Sequence, residues 1–355
     1  MAISDAEFTA AWRQVLTLSK VKRGEQVTVL TGVDTHPQTL QAARLAATEL
    51  GAIVTTVELP PTNGAVSLSR DKLAYVGATA LVGNKAAMSA LKNSDLVIDL
   101  MLLLFSHEQG EILDSGTRML LAVEPPEILV RLIPTEEDRR RVLVATERLK
   151  RARSMTVTSK AGTDFRCDLG AYPILTEYGL ADAPGRWDHW PSGFLATWSN
   201  EGSAEGTIVI DRGDIIIPFK SYVQSPIHLT FEGGYLRKIE GGFDADFLRD
   251  YMNAFKDPEV YAMSHLGWGL QPRAQWSALG LYDREATIAM DARAFYGNFL
   301  FSTGPNTEAG GTRDTPCHMD IPLRRCSVFL DGEPMVLDGD VIPADQRVIG
   351  AGPQG

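Results

Sequence analysis

Between residues 26 and 152 short apolar runs alternate with amphipathic ones, and that alternation restricts the fold more than any other feature of the chain. QVTVL (26–30), AIVTTVEL (52–59), DLVIDLML (95–102) and RMLLAVE (118–124) have the length and apolar content of strands. PQTLQAARLAATELG (37–51), NKAAMSALKNS (84–94) and TEEDRRRVLVATERLKRA (135–152) read as helices. The first opens on Pro37 and stops at Gly51, and the last opens on Thr135 and Asp138, a possible reciprocal cap. Strands that alternate with helices predict a parallel sheet covered by helices. LVIDLMLLLF (96–105) is too short to span a bilayer and contains Asp99, so it reads as a buried parallel strand. No GxGxxG or GxxxxGK[ST] follows a strand, so no nucleotide site is indicated.

Past about residue 155 the pattern changes. SMTVTSKAGTDFRCDLG, GTIVIDRGDIIIPF and IHLTFEGGYLRKIEGG are β runs broken by Gly and Asp, which predict hairpins. One helix, DADFLRDYMNAF (244–255), interrupts them. The expected fold class is therefore α/β: an N-terminal parallel-sheet α/β domain over 1–155, then a β-rich α+β domain over 156–355 that carries any metal site. A chain of 355 residues, 44% hydrophobic, is long enough for both. Its net charge of −11, without a sustained basic run, argues against nucleic acid or an anionic membrane as partner. Cys167, Cys317 and Cys326 form no CxxC, which fits a reducing cytoplasm, and MAISDAEFTAAWRQ lacks the pattern of a secretory leader.

Chemistry concentrates in TPCHMDIPLR (315–324). On a strand, His318 and Asp320 share one face while Cys317, Met319 and Ile321 take the other. The pair is either a His–Asp hydrogen bond or two ligands of one metal ion, and the second reading needs a further donor. Of the six histidines, His265 in YAMSHLGWGLQPRAQW is the candidate, its alternative being a packed loop histidine. Two imidazoles and a carboxylate form a facial triad that leaves positions open on Fe(II), whereas a structural zinc takes four protein ligands, usually with Cys. GxSxG and HExxH are absent, so a serine hydrolase and a zincin are not indicated. His36 reads as an exposed loop residue and His228 as structural.

Five segments carry a resemblance: AVEPPEILVRLIPTEED, LTEYGLADAPGRWDHWPSGF, SAEGTIVIDRGDIIIPFKSY, DPEVYAMSHLGWGLQPRAQW and MDARAFYGNFLFSTGPNTEAGGTRDTPCHMDIPLR. Together they resemble the 2,5-dihydroxypyridine 5,6-dioxygenase family, and AEGTIVI with the His-x-Asp end is distantly similar to the aminopeptidase T type of metallopeptidase. The resemblance implies an Fe(II) enzyme that cleaves the C5–C6 bond of 2,5-dihydroxypyridine with O2 to give N-formylmaleamate, in nicotinate breakdown. It implies iron ligands at His265, His318 and Asp320, and pocket residues at Glu177 and His189. His189 or His107 could serve as the base that takes the 5-hydroxyl proton. Arg293, Tyr296, Ser302 and Thr303, close to the triad in sequence, are candidate substrate donors. The relatives are homo-oligomers. The alternatives are a two-metal peptidase, for which Glu205 is a candidate further ligand, and a non-catalytic small-molecule binder.

Overall fold

The first four apolar runs become β1 (Gln26–Thr31), β2 (Ile53–Glu58), β3 (Leu96–Asp99) and β4 (Arg118–Leu121). A computed structural model describes residues 3–60, 79–104 and 106–348. The helices of this part are α1 (Asp5–Leu18), α2 (Pro37–Glu49), α3 (Lys85–Lys92), α4 (His107–Asp114), α5 (Pro126–Arg131) and α6 (Glu136–Leu149). α6 opens on the expected reciprocal cap: the Asp138 amide donates to Thr135 Oγ1, and the Thr135 amide to Asp138 Oδ2, each at 3.1 Å. α1 lies outside the alternation read from the sequence. It buries Phe8, Trp12, Val15 and Leu16, the spacing of one helical face.

β3 stops short of the expected strand. The Asp99 carboxylate accepts the amides of Met101 and Leu103, each at 2.8 Å, and Leu102 takes a positive φ of 65°. This turn lifts the chain off the carboxyl edge of the sheet. Phe105, the end of the apolar run, lies outside the described residues.

Strands β5 (Ile174–Glu177) and β6 (Trp187–His189) follow α6, after a hairpin. β6 pairs in parallel with β4, giving a five-stranded sheet in the order β2-β1-β3-β4-β6. The parallel sheet therefore draws its last strand from beyond residue 155, where the sequence changes character. β7 (Phe194–Trp198), β8 (Met263–Gly269), β9 (Phe299–Thr303) and β10 (Met319–Leu323) join β5 in an antiparallel sheet ordered β10-β9-β8-β7-β5. The predicted hairpins supply most of an eight-stranded sheet. Phe301 of β9 meets Phe231 of that sheet edge-on at 6.2 Å, so residues 299, 301, 303, 319, 321 and 323 face a core between the two sheets. Gly267 allows β8 to lie close to β7, because a Cβ there would sit 1.9 Å from the Leu195 carbonyl oxygen. No helix among the described residues is long and apolar enough to cross a membrane.

Candidate metal centre

The opposite face of the five-stranded antiparallel sheet carries the chemistry. A bulge between Met263 and Leu266 places His265 on that face, opposite Trp198 of β7. The Ser302 hydroxyl fixes the bulge by accepting the His265 amide at 2.9 Å and donating to the His265 carbonyl at 3.0 Å. Asp320 pairs with Ser302 across β9 and β10, and His318 lies two residues before it on the same face. His265 Nε2 and His318 Nε2 are 3.1 Å apart, and Asp320 Oδ1 lies 3.3 Å from the first and 3.2 Å from the second. All three residues are buried.

Bonds of about 2.0–2.2 Å at near right angles separate adjacent ligands by about 3 Å, so this triangle suits one ion capping its face. Asp320 Oδ1 faces the two imidazoles, while Oδ2 is held by Arg293 through Nε at 2.8 Å and Nη2 at 2.7 Å. Burial opposes ionisation of Asp320, but Arg293 and His318 together hold its carboxyl well below the usual range. Burial pushes His265 down to about 3, which leaves it neutral, as a ligand must be. Burial lowers His318 as well, but the Asp320 carboxylate beside it outweighs this and raises it. These are the only three such residues among the described ones whose ligand atoms converge on one point. The Glu205 carboxylate instead accepts the Gly233 amide at 2.8 Å in the eight-stranded sheet, so it does not extend the set.

A cavity of about 30 Å³ adjoins the triad. Glu177, Trp187, His189 and Arg293 contribute its polar and aromatic wall, with Leu104, Ile288 and Met290 among the aliphatic residues. The two catalytic candidates Glu177 and His189 thus come together with the triad. His189 and Trp187 share a face of β6, with rings 6.3 Å apart, while Asp188 points the other way to accept the amides of Tyr178 and Gly179. Burial, aided by Arg293, pushes His189 down to about 3, and its Nε2 has no hydrogen-bond partner among the described residues. Burial, reinforced by Asp188, pushes Glu177 well above the usual carboxylate range, and it accepts from Ser192 Oγ at 3.2 Å.

Four other candidates lie elsewhere or have their polar atoms engaged. His107 is exposed at the first residue of α4 and is not part of the cavity wall. Tyr296 donates its hydroxyl to the Gln346 carbonyl, away from the triad. Thr303 pairs with Met319, so strand alternation turns it into the core between the sheets. Ser302 faces the site, but its hydroxyl is engaged by the His265 backbone. Arg293 does reach the cavity, as the partner of Asp320. Cys317 is in the core, as the alternation predicts. The aliphatic walls at Leu104, Ile288 and Met290 carried no signal in the sequence, whereas Trp187 did: it stands two residues from His189, the same spacing as His318 and Asp320.

A parallel α/β sheet is set against an antiparallel sheet that carries, on one face, two buried imidazoles and a carboxylate able to hold a metal ion. A family model for 2,5-dihydroxypyridine 5,6-dioxygenase matches residues 7–343. A protein of that name from Pseudomonas putida is 58% identical over 346 residues, which cover 98% of this chain and 99% of the relative. The solved structure of 2,5-dihydroxypyridine dioxygenase from Pseudomonas putida KT2440 superposes with a TM-score of 0.95, covering 98% of this chain and 100% of that one. Wild-type AmpT from Thermus thermophilus shares the fold, with a TM-score of 0.61 at 12% identity over 95% of this chain and 99% of its own. The chain belongs to the 2,5-dihydroxypyridine 5,6-dioxygenase family.

Proposed function

We propose that the protein is an Fe(II)-dependent 2,5-dihydroxypyridine 5,6-dioxygenase, with His265, His318 and Asp320 as the metal ligands. The observation that carries this reading is the buried triangle of two Nε2 atoms and one Oδ1, each within 3.3 Å of the others, in a chain of this family. Bound Fe(II) would supply open positions for the substrate hydroxyl and O2 and a path for electrons between them.

The chain's own residues supply the rest. Neutral His189, with Nε2 free in the cavity wall, accepts the proton of the 5-hydroxyl as the ring binds. Glu177, in the cavity wall with its carboxyl raised by burial, faces a polar atom of the ring. Trp187 lies beside His189 and limits the plane of the ring. Leu104, Ile288 and Met290 exclude water. A cavity of about 30 Å³ has room for one water, so ring entry displaces wall side chains. A two-domain chain whose first domain takes β6 from beyond residue 155, a cytoplasmic setting and a homo-oligomeric assembly belong to the same reading.

Anaerobic protein loaded with Fe(II) should bind 2,5-dihydroxypyridine without consuming it. Admitting O2 should bleach the ring absorbance with one O2 taken up per ring, and both atoms of ¹⁸O2 should appear in the product. Ring loss without O2 uptake would reject the assignment.

A further inference from the structure

We propose that Glu124, which touches none of the three triad residues, is a positioning residue for the metal centre. It acts through Arg293 and rests on the metal-site reading above. Glu124 lies three residues beyond β4 and is 2% exposed. Its carboxylate grips one turn of the chain on the other side of the interface between the parallel and antiparallel sheets. Oε2 accepts the Thr287 hydroxyl at 2.6 Å and the Ile288 amide at 3.3 Å, and Oε1 accepts the Met290 amide at 2.8 Å. Between the two gripped amides stands Ala289, a non-glycine residue with φ 63° and ψ 36°. An L-residue in that left-handed conformation is held there by its surroundings.

The gripped turn feeds directly into the site. Ile288 and Met290 are cavity wall. The Ile288 carbonyl accepts Arg293 Nη1, and the short helix Met290–Arg293 places the Arg293 Nε and Nη2 on Asp320 Oδ2. A second clamp from the same side, Arg131 to both oxygens of Asp291 at 2.8 and 2.7 Å, fixes the same short helix at its next residue. Arg293 is thereby set from the far side of the interface. Because Arg293 engages Oδ2, Oδ1 is the oxygen turned toward the two imidazoles. Both oxygens of Glu124 are needed as acceptors. A glutamine places an N–H2 against a backbone N–H on one side or the other, and the turn must shift.

The test is Glu124→Gln, with Thr287→Val as a milder variant that deletes one donor and keeps both amide bonds. Metal-free wild type and variants are titrated anaerobically with Fe(II), and the visible spectrum of the Co(II)-loaded proteins is recorded. Glu124→Gln should bind Fe(II) about 10–100-fold more weakly, the usual effect of losing an outer partner of a ligand. Its Co(II) bands should shift, and Thr287→Val should change both in the same direction by less. A purely structural latch would lower the melting temperature but leave affinity and spectrum alone, and that result overturns the proposal. Should Glu124→Gln fail to fold, wild-type affinity and spectrum in Thr287→Val overturn it equally. Absence of Fe(II) binding by the wild type would instead remove the metal centre itself, and the proposal with it.

Discussion

Arg293 holds Asp320 by one oxygen only. Nε and Nη2 of the guanidinium both reach Oδ2, at 2.8 and 2.7 Å, while Oδ1 faces His265 and His318 at 3.3 and 3.2 Å. Both residues are nearly fully buried, so each charge depends on the other for compensation. Arg293→Met should lower the stability of the metal-free protein by about 3–5 kcal/mol, the usual result of stranding one member of a buried pair. Added metal should recover part of that loss, since the ion replaces the missing positive charge. Denaturant melts with and without Fe(II) measure both effects, and equal losses in the two conditions would argue against an ion at Asp320.

His265→Ala, His318→Ala and Asp320→Ala should each fold but lose both iron and turnover. Iron content per chain and circular dichroism on the same samples check this. A chelator should inactivate the wild type, and Fe(II) should restore it better than Zn(II), which has no redox chemistry to pass electrons from the ring to O2. Near-normal iron content in any of the three variants removes that residue from the ligand set.

His189→Ala should keep its iron and lose turnover by about 10²–10⁴-fold, the range for a positioned base. The loss should shrink at high pH, where the substrate hydroxyl ionises unaided. A pH–rate profile of mutant and wild type measures this. Parallel loss of iron and activity would mark His189 as structural instead.

Metal affinity should fall as pH drops through the raised value of His318. His318 in the metal-free protein is raised above its ordinary value of 6.5 by the Asp320 carboxylate, against the opposing effect of burial. The proton it holds must leave before Nε2 can bind an ion. The sign for the metal-free fold is the reverse: this group's contribution to stability is full below 6.5 and is lost as pH rises through the raised value. Calorimetric titration of Fe(II) in buffers of different ionisation enthalpy, over a pH series from about 6 upward, should show proton release per ion falling as pH rises through that value. Release that does not fall anywhere across the series would contradict the assignment of His318.

The sequence by itself determined the local elements and one edge of the site. The β–α alternation from 26 to 152 specified β1 to β4 and the helices α2, α3 and α6, because strand and helix periods are written in consecutive residues. Thr135 and Asp138 announced their cap for the same reason. His318 and Asp320 could be placed on one face because strand alternation has a period of two residues, and the family resemblance reached His265. What only the tertiary structure decided lies in pairs far apart in the chain. Nothing local indicates that residues 187–189 complete the parallel sheet, since a three-residue strand takes its stability from the neighbour it pairs with. Proximity in sequence suggested Tyr296 and Thr303 as pocket residues, but the pleat turns Thr303 into the core and the Gln346 carbonyl draws Tyr296 away. The grip of Glu124 on residues 287–290 spans more than 160 positions and follows no periodicity. A buried carboxylate takes whatever donors the packing of two sheets brings to it, so its partners exist only once those sheets have met.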